Sequence, residues 1–256
     1  MYVFKLNDIK ITFANISEII DLIKTFLSTE KNPCQIITLN SLIYLQSKIC
    51  YLSKKALKEA KLVLCDSFGV ALCCSIFSGR FLKHQPGIEL IEHICLLAKQ
   101  NRYKIYLFGA KEEVVSVAAE KLKKKFSVDI VGYHYGYIFL GGEDLSEEII
   151  EDINKRNVDI LLVGLPTELQ EGWIKEHIDK LNCKIVMGIG GSFDIISGRL
   201  KRAPKLFRVL GLEWYFRMLQ EPWRIKRILK LPLALTILFF DCLENFMLGR
   251  QKILNE

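Results

Sequence analysis

The sequence predicts an α/β fold: a Rossmann-like, mostly parallel sheet flanked by helices, with a basic helical C-terminal appendage. Three observations carry that expectation. From position 34 onward, short β-branched or apolar runs alternate with longer helical patterns, which is the signature of βαβ units. Half of the 256 residues are hydrophobic, enough for one good-sized core without disulfides or a structural metal. After Gly198 the character changes abruptly to basic and aromatic, so the chain divides into an α/β catalytic domain over 1–198 and an appendage over 199–256.

The N-terminal MYVFKLNDIKITF reads as two short strand-like pieces. Asn15 with Glu18 forms a capping-box pattern that opens a helix running through Phe26. The sheet strands are expected at CQIIT (34–38), KLVLC (61–65), KIYLF (104–108), VDIVGY (128–133), VDILLV (158–163) and KIVMGI (184–189). Between them the segments 41–60, 69–79, 87–100, 112–126, 145–156 and 169–181 carry apolar residues at i, i+3, i+4 spacing, the helical period. Gly79 stands where a left-handed helix-ending residue belongs. The apolar run from Leu231 to Phe240 is about half of the roughly 20 residues that cross a bilayer. It is expected to lie on a surface or against the domain.

Cysteine and charge usage narrow the function classes. The eight cysteines mostly sit in apolar runs such as LVLC and VALCC, and none is spaced C-x-x-C, as suits reduced, core-filling thiols. His84, His93, His134 and His177 fall in different segments away from any cysteine at ligand spacing, and no Asp-x-Asp motif occurs, so neither a metal nor another cofactor is expected. The N-terminus lacks the apolar stretch and cleavage site of a signal peptide, which predicts a cytoplasmic protein. Of the 36 bases and 29 acids, ten bases lie between Arg199 and Lys230 against only Glu213 and Glu221, leaving the remainder nearly neutral. The positive charge belongs to one segment.

In an open parallel sheet, ligands bind beyond the carboxyl ends of the strands, where loops and helix N-termini offer unpaired N–H groups. The residues that follow the predicted strands are Thr38 and Asn40, Asp66, Gly109, Gly164, and Gly188 with Gly190 and Gly191. Asp66 closes an apolar run, where partial desolvation raises a carboxylate toward working pH and suits it to act as a general base. Its other reading is a cap on the helix that follows. The glycines of MGIGGSFDIISG could let a backbone approach a diphosphate closely, or form an ordinary tight turn. Asp194 beside them could bind a ribose or base, or cap.

Together these residues make the chain similar to the WecG/TagA/CpsF glycosyltransferases, inverting enzymes that build bacterial surface polymers on undecaprenyl-diphosphate carriers. The resemblance runs from about 34 to 230. Its most specific stretch is GIGGSFDIISGRLKRAPKLFRVLGLEWYFRMLQEPWRIKR, supported by TLNSLI, CDSFGV, PGIEL, LFGAKEE, VGYHYGY and VGLPTELQEGWI. It implies that Asp66 deprotonates the acceptor hydroxyl. It implies further that Thr38, Asn40 and Gln170 contact donor or acceptor, and that Gly190, Gly191 and Asp194 belong to the nucleotide-sugar site. Arg202, Arg217, Arg224 and Arg227 would meet the lipid diphosphate or anionic headgroups. The implied donor is a UDP-sugar, N-acetylmannosamine or a related hexosamine or uronic acid, and the acceptor a polyprenyl-diphosphate-linked saccharide.

Three departures from the family pattern stand out. Asp-Gly reads Asp66-Ser67, Arg-Val-x-Gly-x-Asp reads His84 to Glu89, and Gly-x-Pro-Lys-Gln-Glu reads Pro166 to Glu171. They bear on the donor sugar, and the Ser67 change makes the turn less permissive.

The basic segment, with Trp214, Tyr215, Phe216 and Trp223 interleaved, offers no stacking sheet or reading helix for nucleic acid. It suits an anionic membrane surface, where a base gains about 1 kcal/mol, so a peripheral protein at the inner face of the cell membrane is expected. A homo-oligomer is left open. The rival readings are a nucleotide-cofactor oxidoreductase or epimerase, which lacks its G-x-G-x-x-G fingerprint here, and a non-catalytic membrane-binding scaffold.

Overall fold

A computed structural model of the chain describes residues 1–137, 139–140 and 143–249. The last seven residues of the predicted appendage therefore lie outside the described residues. The chain opens with a hairpin of β1 (Tyr2–Leu6) and β2 (Ile9–Phe13), followed by α1 (Ile16–Thr29). The capping box is present at its start: Asn15 Oδ1 accepts from Glu18 N at 3.0 Å, and Glu18 Oε2 accepts from Asn15 N at 2.8 Å. Then come β3 (Cys34–Leu39), α2 (Ser41–Ile49), α3 (Tyr51–Glu59), β4 (Leu62–Cys65), α4 (Phe68–Ser78), α5 (Gly87–Asn101), β5 (Lys104–Gly109), α6 (Glu112–Phe126) and β6 (Asp129–His134). A small β7 (Phe139–Leu140) and β8 (Glu143–Asp144) hairpin precedes α7 (Ser146–Lys155), β9 (Ile160–Gly164), α8 (Thr167–His177), β10 (Ile185–Gly188) and α9 (Ser192–Ile196). The C-terminal segment folds into α10 (Lys205–Val209), α11 (Glu213–Gln220), α12 (Ile225–Ile228) and α13 (Leu231–Met247).

The six strands expected in the sheet are all there, joined by the N-terminal hairpin in the order β1-β2-β4-β3-β10-β9-β5-β6. Only β1–β2 pairs antiparallel within this sheet. The apolar runs are continuous because helices cover both faces and alternate residues point to opposite sides. Ile36, Leu64, Leu107, Leu162 and Met187 face α1, α5 and α6. On the other side, Ile37, Leu39 and Val63 meet α2, α3, α4 and α13, while Phe108, Leu161 and Val186 meet α7 and α8. Between these last two clusters, Gln35 of β3 and Glu171 of α8 are both buried.

Two helix boundaries differ from the sequence reading. The pattern over 41–60 is broken into α2 and α3 at Cys50, whose backbone is extended at φ −119°, ψ 121°. α13 runs past Phe240 to Met247 because its polar residues find partners on the domain. Asp241 accepts from Tyr44 Oη at 2.6 Å and pairs with Lys48 at 2.6 Å, and Asn245 donates to the Lys5 carbonyl at 2.8 Å. The apolar run thus rests against the domain through Ala234 and Leu238. Among the described residues no helix is long and apolar enough to cross a membrane.

Candidate active site

The strand order sets β4, β3, β10 and β9 side by side, so their carboxyl ends form one continuous edge. A cleft of about 380 Å³ opens there, within the size range of small-molecule sites. The strand ends and the turns after them supply Thr38, Asn40, Asp66, Gly190 and Gly191, α8 supplies Gln170, and the C-terminal segment supplies the opposite wall. Gly109 and Gly164 share the edge but not the cleft, being close-approach positions: a Cβ at Gly109 would lie 2.3 Å from the Gly164 carbonyl, and one at Gly164 would meet the Phe193 ring. The LFGAKEE and VGYHYGY segments lie outside the cleft as well.

Asp66 extends from the end of β4 into the cleft. It does not cap α4, a task taken by Ser67, whose Oγ accepts from Val70 N. Instead Asp66 Oδ1 accepts from the Gly87 N–H at 2.6 Å, across 21 residues, at the start of α5. The side chain keeps an opening on the cleft, yet protein surrounds it closely enough that burial pushes its carboxyl up to about 7, against the lowering hydrogen bond from Gly87 and with a further raising contribution from Glu213. This is a carboxylate able to take up a proton near neutrality.

The glycine turn after β10 is held from two sides. Gln170 Oε1 accepts from the Gly190 N–H at 2.8 Å, and Arg217 donates to the Gly191 carbonyl at 3.2 Å. Gly190 has φ +53°, which favours glycine, and a Cβ at Gly191 would collide with the Arg217 guanidinium. Thr38 is buried and ties β3 to β10 by donating to the Gly188 carbonyl at 2.9 Å. Asn40 caps α2, its Oδ1 accepting from Leu42 N and Ile43 N at 3.0 Å, which leaves its amide NH₂ for the cleft it lines.

The facing wall is cationic. Arg208, Arg217, Arg224 and Arg227 line it, and Arg227 donates to Thr167 Oγ1. Burial lowers Arg217 to about 10, and both burial and the neighbouring Arg224 charge lower Arg227. Glu221, 2 % exposed, organises the group: it pairs with Arg199 at 2.6 Å, Arg224 at 2.5 Å and Arg217 at 3.7 Å. Asp194 and Arg202 sit behind the wall and do not line the cleft. Asp194 pairs with Arg199 at 2.8 Å and Arg217 at 3.5 Å, and Arg202 pairs with Glu89, which Arg208 also reaches at 3.3 Å.

Sequence reasoning did not single out Arg208, Glu213, Glu221 or Glu89. Arg208 and the two acids of the basic segment carried a signal, as charges inside the most specific motif stretch. Glu89 carried one only as the acid ending the departing His84–Glu89 stretch, while its partners lie more than a hundred residues away.

A family model, described as the Glycosyl transferase WecG/TagA/CpsF family, matches residues 4–246, nearly the whole chain. The chain belongs to this glycosyltransferase family. It is 32 % identical over 219 residues to the N-acetylglucosaminyldiphosphoundecaprenol N-acetyl-beta-D-mannosaminyltransferases of Staphylococcus aureus strains MW2, NCTC 8325 and COL, a match that covers 84 % of this chain and 84 % of each relative.

As a WecG/TagA/CpsF glycosyltransferase, the chain departs from the family pattern at positions whose local roles are plain. Ser67 replaces glycine where φ is −117°, an ordinary extended value, so the expected cost in turn flexibility does not arise, and its hydroxyl caps α4. Pro166 precedes α8 at φ −53°, a value proline favours, and Thr167 takes up Arg227. His84 lines the cleft edge-on to Phe68, and burial lowers it below the ordinary histidine value despite the charges of Glu213 and Glu89. It stands there as a neutral imidazole near pH 7. Among the described residues no three His, Cys, Asp or Glu side chains are grouped to hold a metal ion.

The outer surface of the C-terminal segment has another character. Leu206, Val209, Leu219, Trp223, Leu229 and Leu233 are exposed, and so are Lys205, Lys226 and Lys230, which make no ion pair among the described residues. Arg208, Arg217, Arg224 and Arg227 face the cleft, and these three lysines face outward.

Proposed function

We propose that the cleft transfers N-acetylmannosamine, or a related hexosamine or hexosaminuronic acid, from a UDP-sugar to the saccharide of a polyprenyl-diphosphate lipid, with inversion. The observation that carries this reading is the placement of Asp66 at the end of β4, closely enclosed and held by the Gly87 N–H on one side of the cleft, facing four guanidinium groups on the other. The acceptor hydroxyl oxygen bonds to the anomeric carbon as the bond from that carbon to UDP breaks. The hydroxyl proton passes to Asp66, and UDP leaves with the bonding pair. One displacement from the opposite side inverts the centre.

Asp66 must be ionised to act as the base, so transfer is lost as pH falls through about 7. Arg208, Arg217, Arg224 and Arg227 meet the diphosphates that both substrates carry, in a partly buried setting where such charge is worth more than in water. Gly190 and Gly191 allow close approach of the donor's phosphates, and Thr38, Asn40 and Gln170 shape the floor. Asp194 and Arg202 act one layer back, holding the arginine wall. The staphylococcal relatives, N-acetylglucosaminyldiphosphoundecaprenol N-acetyl-beta-D-mannosaminyltransferases, support the transferred sugar and the lipid-linked acceptor.

In the same reading the protein is peripheral at the inner face of the cell membrane, its exposed leucines and Trp223 entering the headgroup region and Lys205, Lys226 and Lys230 meeting anionic lipid. The cleft mouth then faces the lipid that carries the acceptor. The test is transfer from UDP-N-acetylmannosamine to a synthetic polyprenyl-diphosphate-GlcNAc, with product masses measured for wild type and Asp66→Asn. The variant is expected to bind UDP and fail to transfer. Wild-type turnover in it would remove Asp66 from the chemistry.

A further inference from the structure

Beneath the glycine turn lies a buried carboxylate that the reaction above does not use. Glu171 is 1 % exposed and among the described residues its charge is met by no cation. Its Oε1 accepts from Gln170 Nε2 at 2.7 Å and its Oε2 from Gln35 Nε2 at 2.9 Å. The network presses directly on β10: a Cβ at Gly188 would lie 2.4 Å from both Gln170 Nε2 and Glu171 Oε1. A buried, uncompensated carboxylate is costly, and apolar packing would serve stability better.

A primary amide has one donor end and one acceptor end, whereas an ionised carboxylate only accepts. Glu171 therefore draws the NH₂ end of Gln170 toward itself, and the carbonyl end is left pointing at the Gly190 N–H. We propose that Glu171 is a positioning residue that fixes the orientation of the Gln170 amide and, through it, the shape of the Gly188–Gly191 turn at the cleft. The inference rests on the reading of that turn as part of the nucleotide-sugar site.

Protonation is the natural perturbation. A neutral Glu171 carries one donor and faces two amide NH₂ groups, so one amide must turn over. The proton goes to Oε1, the oxygen facing Gln170, so that this amide turns, its NH₂ meets the Gly190 N–H and the hydrogen bond is lost. Burial holds the Glu171 carboxyl at about 7, against the two lowering hydrogen bonds. The elements around it carry Lys54, Lys55, Lys58 and Glu59 on α3, Tyr44 and Lys48 on α2, Cys34 on β3, and Glu168, Lys175, Glu176 and His177 on α8. These charges are engaged elsewhere where partners are seen: Lys48 with Asp241, Lys58 with Asp8, and Lys175 with Glu59. None is a cause of the shift at Glu171.

The experiment follows the Gly190 amide ¹H–¹⁵N resonance from pH 5.5 to 8.5 in the full chain without ligand, with UDP affinity measured in parallel. In wild type the resonance should move with a midpoint near 7, from the bonded position at high pH to the released one at low pH. Asp66→Asn should preserve that titration. Glu171→Gln, which mimics the neutral acid at nearly the same volume, should stay at the released position at every pH and weaken UDP binding by about tenfold, the worth of one hydrogen bond. A static Gly190 resonance in wild type overturns the proposal even if the variant fails to fold, and so does a titration that survives in Glu171→Gln. A Gly190 titration abolished in Glu171→Gln with unchanged UDP affinity sustains the positioning role and removes the turn from the nucleotide site.

Discussion

The two walls of the cleft are built on opposite principles. The sheet edge carries almost no charge: Thr38, Asn40 and Gln170 spend polar atoms on backbone groups, and the carboxylate this side turns to the cleft, Asp66, is held by a backbone N–H. The C-terminal wall concentrates charge among apolar side chains such as Trp214, Phe216 and Leu235, and three of its arginines are set by ion pairs: Arg208 to Glu89, Arg217 to Asp194 and Arg224 to Glu221. A base needs a poorly solvated place whose geometry does not shift, which strand ends supply. Under the proposed function diphosphates are bound by several guanidiniums close together, and the buried Glu221 among them keeps like charges from repelling the wall apart.

This division can be broken one wall at a time. Asp66→Asn keeps an acceptor for the Gly87 N–H and removes only the base, so kcat is expected to fall by about a hundredfold to ten-thousandfold, with UDP affinity changed little. The same variant has a stability signature. Burial raises the Asp66 carboxyl from 3.8 to about 7, so its ionised form is disfavoured in the folded protein, and wild-type stability declines as pH rises between those values. Thermal melts should show Asp66→Asn more stable than wild type by roughly 1–3 kcal/mol at pH 8, a difference that vanishes near pH 4.

Arg217→Ala attacks the other wall, removing the group that joins Gly191, Asp194 and Glu221. Steady-state kinetics should show kcat/KM lower by about a hundredfold, while the pH midpoint of the remaining activity stays with Asp66. Replacing Lys205, Lys226 and Lys230 together by alanine should weaken binding to anionic vesicles by about tenfold or more at low salt, and leave transfer to a water-soluble acceptor unchanged. Glu213→Gln has the smallest expected effect. It removes a charge that raises Asp66, so the acid limb of kcat/KM should move to lower pH by about a few tenths of a unit, within the modest scale of exposed-charge interactions. Truncation at Arg199 separates nothing, because α13 covers Ile43, Tyr44 and Val70 of the core and its loss would unfold what it is meant to test.

How much of this was legible in the sequence depended on the range of the interaction. The strands, the Asn15–Glu18 capping box and the left-handed Gly79 are local and were readable, as were the residues following each strand. So was the family, through motifs that lie along one chain segment. The break at Cys50 was not, since neither glycine nor proline marks it. The placement of Asp194 and Arg202 was hidden for a related reason: both lie in the right motif, and only the fold shows that they pair with Arg199, Arg217 and Glu89 behind the cleft. That Arg208, Arg217, Arg224 and Arg227 line the cleft while Lys205, Lys226 and Lys230 face outward is likewise a tertiary fact.

The central claim is that Asp66 is a base working near neutrality, and it is tested most directly by titrating its side-chain carboxyl by ¹³C NMR beside the pH profile of kcat/KM. The account predicts a carboxyl midpoint near 7 that coincides with the acid limb of the profile, and residual activity without that dependence in Asp66→Asn. A carboxyl that titrates at the ordinary aspartate value, or an Asp66→Asn enzyme that keeps the wild-type rate, would contradict it.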